Sequence, residues 1–255
     1  MIGSSPSCRI SPKRGSTMRI LAIDSTAVSA SCALMEEQKL TAEFYMNCGL
    51  THSETLMPMI NDVLRYTDTT PQEIDYLAVA AGPGSFTGVR IGVAAIKGMA
   101  LALDLPCVGV STLEAMAWNL VGREKTTVCA VMDARCKQVY QAFFEVDETS
   151  VTRRCEDRAT SIEQLGQEIV KANEPVMLVG DGAQLCMQEL KSTGLVQLAP
   201  LAIRYQRASG VAQAAEKEIH LGNILNGDQL RPVYLRLPQA ERELKKKIQS
   251  GGDPV

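Results

Sequence analysis

The first hundred residues alternate between short apolar runs and amphipathic ones. RILAIDSTA is a nearly continuous apolar segment that closes on Asp24. VSASCALME alternates small and apolar residues, and KLTAEFYM suggests a third segment of the same length. These spacings predict three strands. THSETLMPMINDVLRYT then places Leu56, Ile60, Val63 and Leu64 at helical intervals, with Thr51 and Glu54 at capping-box spacing. Pro58 removes one internal hydrogen bond and is expected to bend that helix. YLAVAAG follows as a buried strand, and AAGPGSFTGVRIGVAAIKGMALAL turns from it into a long run of small and oily residues.

The second half repeats the order. TTVCAVMDARCKQVYQAFFEV reads as strand, Asp133, tight turn, strand, and SVTRRCED is expected to supply the third strand. SIEQLGQEIVKA has helical spacing, PVMLVGDGA is a buried strand ending in glycines, and another helix follows. Asp24 and Asp133 each close the first strand of a half, and Gly82 and Gly180 each close a later one. The shared order across about 109 residues implies two related α/β lobes in tandem. The expected fold is α/β, with mixed sheets flanked by helices, and two such lobes in tandem resemble the actin-like ATPase (ribonuclease H-like) type. The first lobe is expected over 18–107 and the second over 108–205, with 206–240 packing back on the first.

Composition narrows the classes. At 255 residues, 45% hydrophobic and 22% charged, the chain has the make-up of a soluble globular protein. A net charge of −3 argues against autonomous nucleic-acid binding, which needs a strongly basic surface. Eight cysteines without a Cys-x-x-Cys read as thiols of a reducing cytosol. The apolar stretch 91–103 is interrupted by Lys97 and is expected not to span a membrane. Residues 1–17 are rich in Ser and Pro, basic and without acids. They have a transit-peptide flavour, although MRILAID starts so cleanly as a strand that Met18 is the more natural first residue. That segment and 241–255 are expected to be a disordered extension and a flexible tail.

The glycine-rich stretch fits neither standard phosphate loop. Gly82 and Gly88 are separated by five residues, and Val89-Arg90 stands where Lys-Ser/Thr would be needed. Gly82, Gly84 and Gly88 also miss the dinucleotide spacing by one residue. Two readings stay open. Asp24, Ser25, Thr26, Gly84, Ser85, Thr87 and Gly88 are a candidate anion or nucleotide loop at a helix start; alternatively, the glycines let the strand turn sharply into a close-packed helix, which spacing favours. Two histidines, His52 and His220, and scattered cysteines assemble no zinc site. Ser85 does not sit in G-x-S-x-G. Asp24 and Asp133 remain as acids placed for an actin-fold ATPase or kinase with Mg²⁺. The Ser25-Thr26-Ala27 turn, however, lacks that fold's glycines.

From Val89 to Leu103 only Arg90 and Lys97 are charged. A helix apolar nearly all round is buried on more than one side. The helix of residues 51–67 has a similar excess, including Met57. Patterning does not decide whether both helices cover one sheet or also present a partner interface.

MRILAIDSTAVSASCAL, THSETLMPMI, AAGPGSFTGVRIGVAAIKGMALAL, VGVSTLEAMA, MDARCKQVY and PVYLR together resemble the bacterial TsaB family of tRNA threonylcarbamoyladenosine biosynthesis proteins, over Met18 to about Arg236. The resemblance implies a cytoplasmic, non-catalytic subunit that binds and activates the catalytic subunit TsaD, which transfers a threonylcarbamoyl group to adenosine in tRNA. TsaE is implied as a further partner, with a homodimer when TsaD is absent and tRNA met only through the complex. No intrinsic cofactor is implied, and ATP or ADP with Mg²⁺ would belong to the complex. TsaD holds metal partly through His-x-x-x-His, where this sequence has Thr112 and Met116. The family's pairing surface maps to about 52–66 and 88–103, which makes Met57, Ile60, Leu64, Arg90, Val93 and Lys97 candidate interface residues.

Overall fold

A computed structural model describes residues 17–236. The expected tail at 241–255, and all of the expected extension except Thr17, lie outside them. β1 (Arg19–Asp24), β2 (Ala30–Glu36) and β3 (Lys39–Met46) form an antiparallel meander. α1 (His52–Tyr66) leads to β4 (Tyr76–Gly82), which pairs parallel to β1. α2 (Phe86–Leu103) then crosses to β5 (Cys107–Ser111), parallel to β4. The resulting sheet has the order β3-β2-β1-β4-β5. This is the ribonuclease H-like arrangement expected of each lobe.

α3 (Thr112–Trp118) passes into the second lobe. There β6 (Thr126–Asp133) and β7 (Gln138–Val146) are antiparallel, and β8 (Val151–Arg153) and β9 (Arg158–Ser161) both pair with β7. Of the expected third strand at 150–157 only Val151–Arg153 forms, and β9 follows beyond it. Between β8 and β9 the chain leaves the ladder: Asp157 accepts from Ser111 Oγ at 2.5 Å and pairs with Arg153, while Cys155 Sγ takes the Phe143 amide. α4 (Ile162–Ala172) is capped by a reciprocal Ser161–Gln164 box and leads to β10 (Val176–Val179). α5 (Ala183–Leu190) and β11 (Val196–Leu198) complete the sheet β11-β10-β6-β7-β8. The final helix, α6 (Ala208–His220), belongs to neither tandem run.

Alternation along β1 distributes the core. Leu21 and Ile23 face α1 and α2 with Leu77 and Val79, whereas Ile20 and Ala22 face α6 with Ala78, Val108 and Val110. In the second lobe Val128, Ala130 and Met132 pack under α3, and Cys129 and Val131 under α4 and α5. α3 and α6 thus lie against one another between the two sheets. Glu114 of α3 ties them together, accepting from Lys217 Nζ at 2.7 Å and from Arg153 Nη2 at 2.9 Å. Gly210 permits the close crossing, because a Cβ there would stand 2.2 Å from the Ala115 carbonyl oxygen.

Candidate functional site

A cleft of about 440 Å³ opens where the lobes meet. The first lobe contributes the β1–β2 turn (Thr26, Ala27, Val28) and the turn before α2 (Pro83 to Thr87). The second contributes Met132 to Arg135, Tyr140 and Asp181, and residues 233–236 complete the wall. Asp133 is exposed there, its Oδ1 taking the Arg135 amide at 2.7 Å. Asp24 is placed differently from expectation. It is 1% exposed, does not line the cleft, and turns its Oδ1 back onto the amide and hydroxyl of Thr26 at 2.8 and 2.7 Å. The third acid is Asp181, whose Oδ1 accepts from Gln206 Nε2 at 2.8 Å. Among the described residues no three His, Cys, Asp or Glu side chains converge as a metal ion would require.

The glycine-rich turn is occupied by the protein itself. Ser85 donates its amide to the Thr26 carbonyl at 2.7 Å, and Ser25 Oγ donates to the Gly88 carbonyl at 2.9 Å. A Cβ on Gly84 would lie 2.6 Å from Thr26 O, one on Gly88 2.1 Å from Ser25 O, and one on Gly92 2.5 Å from Ser25 Oγ. Three glycines thus exist to let α2 press onto the β1–β2 turn. His52 locks the same turn from the other side, its Nε2 donating to the Ala27 carbonyl at 2.7 Å. Ser85 accepts the Gly88 amide as N-cap, so one of the amides that an anion would use is already engaged.

The second candidate is the outer surface of α1 and α2. Val89, Gly92, Val93, Ile96 and Ala100 make the inner face of α2. Arg90, Ala94, Gly98, Leu101 and Ala102 are exposed, with Leu101 at 65%. This helix is long and apolar enough by length and composition to cross a membrane, yet only a third of it is buried in the chain. Of the residues proposed for an interface, Ile60, Leu64 and Val93 are core residues and must be removed from that set. Helical spacing gives a face but not which of two apolar faces meets the sheet. Met57 is 42% exposed and fits an outer surface, as does Arg90. Lys97 is half-buried, its Nζ donating to the Leu230 carbonyl at 3.4 Å.

The family model described as TsaD, tRNA N6-adenosine threonylcarbamoyltransferase, matches residues 47–244. The tRNA threonylcarbamoyladenosine biosynthesis protein TsaB of Escherichia coli (strain K12) is 35% identical over 231 residues, covering 89% of this chain and 98% of that protein. The chain belongs to the TsaB family. The TsaB of Bacillus subtilis (strain 168) is 30% identical over 226 residues, covering 88% of this chain and 96% of its own. A solved structure from Pseudomonas aeruginosa, described as an uncharacterized protein with similarity to peptidase YeaZ, superposes with a TM-score of 0.73 at 25% identity, over 86% of this chain and all of that one.

Within this TsaB-family chain, Thr112 and Met116 are both fully buried in α3. The seven cysteines among the described residues form no disulfide with one another. Sequence reasoning overlooked Asp181, although Gly180-Asp181-Gly182 repeats the signal of an acid at a strand end. It also overlooked Tyr234, whose role depends on a contact 144 residues away in the chain.

Burial pushes the Asp24 carboxyl from 3.8 up to about 6, against its Thr26 hydrogen bonds and with a contribution from Asp181. Burial likewise raises Asp181 to about 6. Between about pH 4 and 6 the native state holds protons that the unfolded chain has released, so this contribution to stability falls as pH rises through that window. Asp24→Asn keeps an acceptor for Thr26 and removes the buried charge. Relative to the parent, the variant is expected to gain stability with rising pH, by about 1.4 kcal/mol between about pH 5 and 7.5, read as a rising difference in melting temperature. A pH-independent offset would show that Asp24 does not titrate in this range.

Proposed function

We propose that the chain serves tRNA threonylcarbamoyladenosine biosynthesis in the cytoplasm as a non-catalytic subunit. It docks through the outer faces of α1 and α2 onto a catalytic partner of the TsaD kind and supports threonylcarbamoyl transfer to adenosine in tRNA. The observation that carries this reading is α2 itself. Between Arg90 and Leu103 its only charged or polar side chains are Arg90 and Lys97, and both are engaged within the chain. That leaves Ala94, Gly98, Leu101 and Ala102 as an exposed small-residue surface suited to close helix packing. Without TsaD the same face pairs with a second copy. TsaE joins the assembly, tRNA is met through the complex, and ATP or ADP with Mg²⁺ belongs to the complex.

An actin-fold ATPase or kinase reading has less support, since Asp24 is turned away from the cleft and sealed beneath Thr26. The test is reconstitution of threonylcarbamoyladenosine on tRNA from purified subunits. Product is expected only when this chain is present with TsaD, TsaE and the threonylcarbamoyl donor, and the chain alone is expected not to turn over ATP. Full product without the chain, or robust ATP turnover by it in isolation, overturns the reading.

A further inference from the structure

After α6 the chain runs back along the first lobe and ends its described course in the cleft. Leu225 pairs with Cys107 through two backbone hydrogen bonds of 2.8 Å, on the open edge of β5. Leu230 is buried against Gly109, where a Cβ would meet its Cδ1 at 2.9 Å. The Val233 amide donates to the Ala81 carbonyl at 2.7 Å, and the Val233 carbonyl bears so closely on Gly82 that a Cβ there would stand 2.3 Å away. Up to this point the segment is held by backbone pairing and burial.

Beyond it the hold changes character. Tyr234 packs against Phe86 with ring centres 4.8 Å apart and planes tilted by 32°, and its hydroxyl accepts from Arg90 Nε at 2.8 Å. The Arg90 guanidinium lies 3.7 Å from the centre of the Phe86 ring and 5.8 Å from that of Tyr234, so the three side chains touch one another as a cluster. Arg236 then reaches across the cleft, donating from Nη1 to the Ala134 carbonyl of the second lobe at 3.2 Å. Residues 234–236 thus carry a side-chain tie from α2 at one end to the β6–β7 turn at the other.

We propose that residues 233–236 are a latch across the cleft mouth and that Arg90, on the outer side of α2, holds it shut. Arg90 is exposed on the surface assigned above to docking and does not line the cleft, yet its hydrogen bond fixes Tyr234, which does. A partner group that takes the Arg90 guanidinium, such as a carboxylate, releases Tyr234 and with it the Arg236 bridge. Occupancy of the α2 face is thereby coupled to opening of the cleft. The latch is independent of the docking partner's identity; only its natural trigger rests on the proposed function.

The test is hydrogen exchange measured by mass spectrometry on the full chain alone, comparing the parent with Arg90→Ala, Tyr234→Ala and Tyr234→Phe. Arg90→Ala and Tyr234→Ala are expected to speed exchange roughly twofold to tenfold in both cleft walls, residues 83–87 and 132–136, as loss of about one hydrogen bond allows. Peptides from α4 and α5 should be unchanged, which also reports that the variants fold. Tyr234→Phe keeps the ring contact with Phe86 and should give a smaller rise. Faster exchange confined to 230–236, with the 132–136 wall unmoved, overturns the latch. Because no partner is present, that result would leave the docking proposal standing, whereas loss of docking with intact coupling in the isolated chain would remove only the latter.

Discussion

Gly88→Ala is expected to destabilise the protein by about 3 kcal/mol or more, the cost of forcing an extra carbon into a packed contact. The atom it meets is a backbone oxygen, Ser25 O at 2.1 Å, in a turn that His52 and Ser85 already fix from two sides. Neither the turn nor α2 has room to retreat, because Val89 and Val93 anchor the helix in the core. For a chain of this length the melting temperature should fall by about 6–12 °C. Gly98→Ala is the control within the same helix. No atom lies within 4 Å of its added carbon. It should therefore raise stability by up to about 1 kcal/mol through helix propensity alone. Thermal melts of the two variants decide between a packing and a ligand-binding origin for the Gly88 turn. A Gly88→Ala protein as stable as its parent would show that the turn has slack for a phosphate after all.

Leu101→Glu should leave the fold intact and weaken docking onto TsaD by about 2–4 kcal/mol, or roughly 30-fold to 1000-fold in Kd. Leu101 is 65% exposed in the chain alone, so a carboxylate there is solvated and costs little. In a close helix–helix contact the same carboxylate has to be stripped of water opposite apolar groups. Titration calorimetry with purified TsaD, alongside the melting temperature of the free variant, separates the two effects. Parent-like affinity would move the docking face elsewhere. Gly98→Ala sharpens the comparison, since a stabilised helix that docks less well is the signature of backbone-close packing.

Much of the architecture was legible from residue order. The interval from Asp24 to Asp133 announced the duplication, and RILAID and YLAVAAG announced central strands buried on both faces. Periodicity failed where a choice lay between equivalents. For α2 it showed apolar residues all round but not that Val93 faces the sheet and Ala94 the solvent. SVTRRCED read as a strand throughout, but only its first part pairs; its last residue, Asp157, is held instead by Ser111, 46 residues earlier. The cleft was half legible. Its acids stand at strand ends, where sequence can find them. That Asp24 folds onto its own neighbour, and that residues 233–236 return to form a wall, are long-range or rotameric facts with no local signature.

The return of α6 gives the chain an unusual order of completion. The strands of the first lobe are all made by residue 111, but the helix covering one side of that sheet begins at Ala208. Until the whole second lobe has left the ribosome, Ile20, Ala22, Ala78 and Val108 have no α6 to cover them. The second lobe is in this sense an insertion into the first, and the first lobe can close only last. A chain cut at residue 205 should therefore retain a foldable second lobe and present a sticky, half-covered first one. Duplication supplied two similar lobes, but the crossing of α6 made their folding unequal.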